Sequence, residues 1–389
     1  MQASRKAKKS KKRLIIATAT GVAGAVVVIA NATALPSWPG GPSADVKAVQ
    51  VDAAAVQAAL ENAAKAGGAP GGIAEVTDER GRKHRFFTGE ADETGRKPAA
   101  NDRFRIGSLS KVFVSTVVLQ LEAEKKLSID DKVEKWLPGK VPAGSPITIR
   151  QLLQHSSGLP DFVPHLPSTD LKTEYTPDQL LALIKDDKPT FPPGEGWAYS
   201  NTNFLLAGML IKEVTGRDWR QEMDRRILKP LRLNSTTAPG AATSIRGPHL
   251  NGYATNGPES KELVDVTVLS PTMADAAGEI ISNSGDVSRF LGALFGGDLL
   301  PTKQLGEMEK AVDAPPLQGG YGLGLMRTDL SCGISVWGHG GQIPGYNTWG
   351  ASTSDGSRVM AANVNKLIEP QSTSTDSFVK VMEASFCKK

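Results

Sequence analysis

Cysteine and histidine are scarce in this 389-residue chain, which has two of the first and five of the second. His84, His155, His165, His249 and His339 show no metal-ligand spacing, so neither a metal nor any other cofactor is expected. No motif recurs at a fixed period, which excludes solenoids and propellers. A basic body is lacking too, although the formal net charge is +4. Arg5, Lys6, Lys8, Lys9, Lys11, Lys12 and Arg13 fall in the first 34 residues, which contain no acid; taking those seven from 45 leaves 38 basic against 41 acidic residues. Nothing in that mildly acidic balance points to a nucleic-acid partner.

What is present begins with an export signal over residues 1–34. The basic stretch ends at Arg13, an apolar run covers residues 14–30, and Ala32-Thr33-Ala34 supplies a small-x-small cleavage pattern. An uncleaved membrane anchor is the alternative, since the run is near the lower length limit for a span. Thr18, Thr20, Gly21 and Gly24 weaken it for that purpose. Both readings put the body outside the cytoplasm; with the signal cut it would be secreted and free of stable membrane association. Cys332 and Cys387 would then pair as a disulfide, contributing about 4 kcal/mol in the chain-entropy model; two buried thiols are the alternative. Residues 35–47 form a Pro/Gly tether.

In the body, spacing predicts a helix over 52–66 stopped by Gly67-Gly68, and short strands at 73–76, 84–88 and 104–106. From Ser108, the positions Leu109, Val112, Phe113, Thr116, Val117, Gln120 and Leu121 predict an amphipathic helix of about four turns. Further helices are expected near 177–184, 202–214, 219–228, 284–295 and 374–386. Strands are expected at 321–326, 334–337 and 358–364. Strands at both ends and helices between them give an α+β fold. Residues 48–124 and 271–389 would form an α/β lobe, and 125–270 a mainly helical one, with the site in the cleft between.

Three short motifs carry chemistry. In Ser108-Leu109-Ser110-Lys111, positions i and i+3 share a helix face, so the amine reaches the hydroxyl. Desolvation and the positive end of the helix dipole would favour the neutral amine that takes a proton. The alternative is an N-cap serine followed by a solvated lysine. In Tyr199-Ser200-Asn201 the phenol could stay as phenolate or pass a proton, and Asn201 could donate to an amide carbonyl; alternatively Asn201 or Thr202 caps the next helix while Tyr199 packs. In Trp337-Gly338-His339-Gly340-Gly341, glycines at a strand end would let a ligand lie alongside, with His339 at the rim as a weak cation or donor, or else structural.

In this order, the motifs resemble Ser-x-x-Lys, Tyr-x-Asn and His/Lys-x-Gly of the penicillin-recognising serine hydrolases, which include D-alanyl-D-alanine carboxypeptidases and class C β-lactamases. The surrounding phrases Phe104-Arg105-Ile106-Gly107, Leu152-Leu153-Gln154-His155-Ser156-Ser157-Gly158-Leu159 and Tyr321-Gly322-Leu323-Gly324-Leu325 are similar as well. The chain most resembles the secreted actinomycete carboxypeptidases, which share the cysteine pair.

The resemblance implies a β-lactamase/transpeptidase-like fold: an antiparallel sheet flanked by helices, plus a helical lobe. It implies Ser108 as nucleophile, Lys111 and Tyr199 in proton transfer, and His339 supporting Tyr199. Asn201, Gly340, Gly341 and Gln342 would bind substrate, the oxyanion resting on the N–H groups of Ser108 and Gln342. Peptide or ester substrates follow, with β-lactams as covalent acylating agents. The carboxypeptidases carry arginine at the position of Met326 and threonines at Gly340 and Gln342, groups that grip a terminal carboxylate. Arg327 is one residue off and faces the other side of a strand. Esterase, amidase, D-peptidase and β-lactamase specificities therefore stand beside the carboxypeptidase one, and a non-catalytic sensor is a further alternative.

Overall fold

The computed structural model describes residues 51–387 apart from 143, 168–169, 257–259, 261, 316 and 318. The expected signal and tether lie outside the described residues. Among those described, no helix is long and apolar enough to cross a membrane.

A six-stranded antiparallel sheet is built from both ends of the chain. Its strands are β1 (Gly71–Thr77), β2 (Lys83–Gly89), β3 (Met326–Asp329), β4 (Ser335–Ile343), β5 (Tyr346–Ser352) and β6 (Val359–Val364), in the order β2-β1-β6-β5-β4-β3. β1 pairs with β6 so that Ile73 faces Asn363 and Val76 faces Met360. Side chains alternate between two cores. Val359 and Ala361 join one, while Met360, Ala362 and Val364 join the other, as a period of two requires.

Helices cover both faces. On one lie α1 (Ala53–Gly67) and α6 (Gln371–Phe386), packed together. Asp52 starts α1 by accepting the Ala55 N–H, and Gly68, at φ +60°, ends it. On the other face lie α5 (Ser284–Phe295) and α2 (Ser110–Ala123). Between sheet segments the chain runs through α3 (Asn201–Thr215) and α4 (Trp219–Met223), among other short helices. Cys332 and Cys387 form a disulfide with Cα atoms 5.8 Å apart, tying the β3–β4 turn to the end of α6.

Three expectations need correcting. The amphipathic helix from Ser108 is instead a 3₁₀ turn, Gly107–Leu109, running into α2, whose residues Ser110 to Leu119 are all buried. It has no solvent face because it lies between the sheet and α3. Tyr321 makes only isolated bridges, to Val312 and Met326, and the strand begins at Met326. The strand expected at 334–337 continues to Ile343, so the Gly-rich motif is strand interior.

That glycine content has an internal cause. A Cβ on Gly341 would lie 1.8 Å from the Ile106 carbonyl oxygen, and one on Gly107, at φ +51°, would lie 2.7 Å from the Gln342 nitrogen. The turn that carries Ser108 thus sits backbone-to-backbone against β4.

Candidate active site

Ser108, Tyr199, Asn201, His339, Gly340, Gly341 and Gln342 line one cleft of about 440 Å³. Lys111 lies beneath its floor, fully buried. Its Nζ is 2.9 Å from Ser108 Oγ, 2.8 Å from Asn201 Oδ1 and 2.8 Å from the Ala277 carbonyl oxygen. An ammonium would donate to all three. An amine donates to the two carbonyl oxygens and turns its lone pair to the serine hydroxyl. Burial pulls this lysine down to about 7, against the opposing pull of the Asp161 charge. The Ser-x-x-Lys spacing shows the first of these partners; Asn201 and Ala277 come from distant parts of the chain, and the spacing alone could not show them.

Tyr199 is half-buried and its ring centroid lies 4.9 Å from Lys111 Nζ. Desolvation raises its pKa, outweighing the interaction with Ser108 that lowers it. The phenol is therefore protonated at neutral pH, which removes the phenolate alternative and leaves proton passing.

His339 departs from expectation in charge and partner. It is buried within β4 rather than placed at a rim, and desolvation followed by the Lys111 charge pulls it down to about 3. It is neutral. Its Nδ1 bonds the Gly340 carbonyl, and its Nε2 accepts from Tyr321 Oη at 2.9 Å. Tyr199 stands 6.1 Å away, ring to ring. Support of Tyr199 by a histidine cation is thus replaced by packing and a neutral dipole.

Three features escaped the sequence reading. His155, at φ +59°, is fully buried under the Tyr199 loop. Its Nδ1 accepts the Ser200 N–H at 3.2 Å and faces Asn203 Nδ2 at 3.0 Å, and its ring lies 4.3 Å from that of Tyr199. The phrase at 152–159 held that signal. Second, Asp161 accepts from the Asn201 N–H at 3.0 Å and from Asn201 Nδ2 at 3.1 and 3.2 Å. Third, Arg220 on α4 grips both oxygens of buried Glu279 at 2.6 Å and reaches Asp275 at 2.9 Å. Those acids flank Ala277, whose carbonyl holds Lys111.

Met326 faces the cleft from β3. Arg327 points away, bonding Asp329 and Ser335. No lysine or arginine lines the cleft among the described residues; its one formally charged wall residue is Asp161. No group of three or more potential metal ligands converges among the described residues.

Such a site, a serine on a buried amine at the edge of an antiparallel sheet, is the arrangement of an acyl-transferring serine hydrolase. The beta-lactamase family model matches residues 56–380. A D-stereospecific amidohydrolase from Streptomyces sp. is 41% identical, covering 86% of this chain and 99% of that one, with a TM-score of 0.78. The D-amino acid amidase of Ochrobactrum anthropi SV3 is 26% identical over 85% of this chain and 97% of its own, with a TM-score of 0.77. Penicillin-binding protein 4* of Bacillus subtilis is 28% identical over 68% of this chain, which spans 61% of that protein's length. The chain belongs to the beta-lactamase family of penicillin-recognising serine hydrolases.

Proposed function

We propose that the protein hydrolyses amides and esters of D-amino acids through an acyl-enzyme on Ser108. The observation that carries this reading is the cleft wall at Met326, where an arginine would be needed to grip a free terminal carboxylate. Losing such a charge-assisted contact costs about 1.5–3 kcal/mol, whereas an amide or ester leaving group needs no cation. The names of the amidohydrolase and amidase relatives support the same substrate class.

The Lys111 amine takes the Ser108 proton as Oγ attacks the carbonyl. The N–H groups of Ser108 and Gln342 receive the oxyanion. The Tyr199 phenol gives its proton to the departing amine and recovers one from the Lys111 ammonium; water then attacks the ester with Lys111 again as base, and that proton returns to Ser108 Oγ as the acid leaves. Export is part of the proposal, supported by the basic and apolar leader and by the disulfide.

The test compares kcat/KM for D-phenylalanine amide, its L enantiomer, D-phenylalanine methyl ester and an N-acylated D-Ala-D-Ala peptide. Preference for the D-amide and D-ester, lost in Ser108→Ala, is expected. A peptide cleaved faster than the amide would return the protein to the carboxypeptidase reading. Incubation with benzylpenicillin, followed by intact-mass measurement and peptide mapping, locates the nucleophile independently.

A further inference from the structure

The carboxylate of Asp161 stands on the cleft wall without a direct ion pair, and its charge reaches Lys111 only through Asn201. It is half-buried beside Phe162 and Val163, and no lysine, arginine or histidine pairs with it among the described residues. Its hydrogen bonds come from Asn201 and, at 3.4 Å, from the Val163 N–H. Oδ2 accepts only from Asn201 Nδ2, so it keeps acceptor capacity. Asp161 is joined to the reaction centre through one amide group: Asn201 Oδ1 receives Lys111 Nζ, and Asn201 Nδ2 turns to Asp161.

This geometry disfavours one kind of acyl group and favours another. An N-acyl carbonyl oxygen brought to Asn201 Nδ2 would share that amide with Asp161 and would stand beside its carboxylate. A free α-ammonium in that region meets an anion with unused lone pairs. We propose that Asp161 recognises the free α-ammonium of the acyl group, so that the enzyme selects D-amino-acid derivatives with an unblocked amine. The assignment rests on the D-amino-acid reading above and supplies its specificity residue.

A structural role is the competing explanation, because Asp161 also accepts the Asn201 N–H at the start of α3. Asp161→Asn keeps an acceptor for that N–H and removes the charge; Asp161→Glu keeps the charge. Removing the anion also lowers the Lys111 pKa further and moves the acid limb for every substrate, so the readout is a ratio.

The experiment measures kcat and KM for D-phenylalanine p-nitroanilide and its N-acetyl form, with wild type and both variants, from pH 5.5 to 9.5. Wild type should prefer the free amine. Asp161→Asn should lower that preference by about 10- to 100-fold, mainly through KM, and Asp161→Glu should recover part of it. The free-amine substrate alone should show an alkaline fall near pH 8, where its ammonium is lost, and the fall should flatten in Asp161→Asn. If both substrates decline equally in Asp161→Asn, the residue only positions Asn201 and the assignment is overturned. If wild type cleaves D over L but prefers the N-acetyl form, the assignment fails while the D-amino-acid reading stands. If wild type cleaves neither D substrate, both fail.

Discussion

Replacing Lys111 by methionine tests the central electrostatic claim through stability as well as rate. The lysine falls from 10.5 in the unfolded chain to about 7 in the fold because burial opposes its charge. Between those values the unfolded state binds the extra proton, so stability rises with pH. Integrating the proton difference, this one group adds about 3 to 4 kcal/mol between pH 7 and pH 10. The window closes near 10, where exposed tyrosines of the unfolded chain ionise while buried Tyr199, Tyr321 and Tyr346 resist.

Lys111→Met has no proton to lose, yet it strands Asn201 Oδ1 and the Ala277 oxygen at every pH, costing about 1–3 kcal/mol each. Absolute stability therefore mixes two effects. The slope isolates one. Urea denaturation of both proteins at pH 7, 8, 9 and 10 should give a wild-type-minus-variant difference that climbs by about 3 to 4 kcal/mol. Wild-type kcat/KM should rise through an acid limb near pH 7, where the amine becomes free to accept the serine proton. Parallel stability curves would refute the buried-amine argument, and an acid limb near pH 10 would refute its catalytic use.

Arg220→Met should leave Glu279 and Asp275 buried without their cation, destabilising by about 3–5 kcal/mol in thermal melts and lowering kcat through the Ala277 segment. Gly341→Ala places a Cβ 1.8 Å from the Ile106 oxygen and must push β4 off the Ser108 turn. A displacement of about 1 Å there should cost about 100-fold in kcat/KM, read by steady-state kinetics. Cys332→Ser combined with Cys387→Ser should lower unfolding stability by about 4 kcal/mol while leaving kcat/KM at 20 °C unchanged, since neither cysteine lines the cleft.

The sequence made the ends of the chain legible because their periods are clean. Asp52 and the Gly67-Gly68 stop sit where the spacing puts them, and β1 contains the strand expected at 73–76. β5 went unseen: Tyr346–Ser352 mixes Asn, Thr, Gly and Ser, yet every residue is buried, because strands flank it and helices cover both its faces. No binary pattern marks such a strand. The three motifs named the residues that line the cleft, but not their protonation. His339 reads as a cation at a strand end and is neutral in a strand interior, a difference of burial that a tripeptide cannot carry. Asp161 and Arg220 act across gaps of 40 and 59 residues to Asn201 and Glu279, distances that no local period can show.

The contact between Gly107 and Gln342 joins positions more than 230 residues apart. A chain that stops before β3 already carries Ser108, Lys111, Tyr199 and Asn201, but it lacks four of the six strands and therefore one wall of the cleft. A chain truncated there should therefore bind and turn over no substrate. Such long-range closure is slow to form, and it makes turnover of substrate a direct report that synthesis and folding have both run to completion.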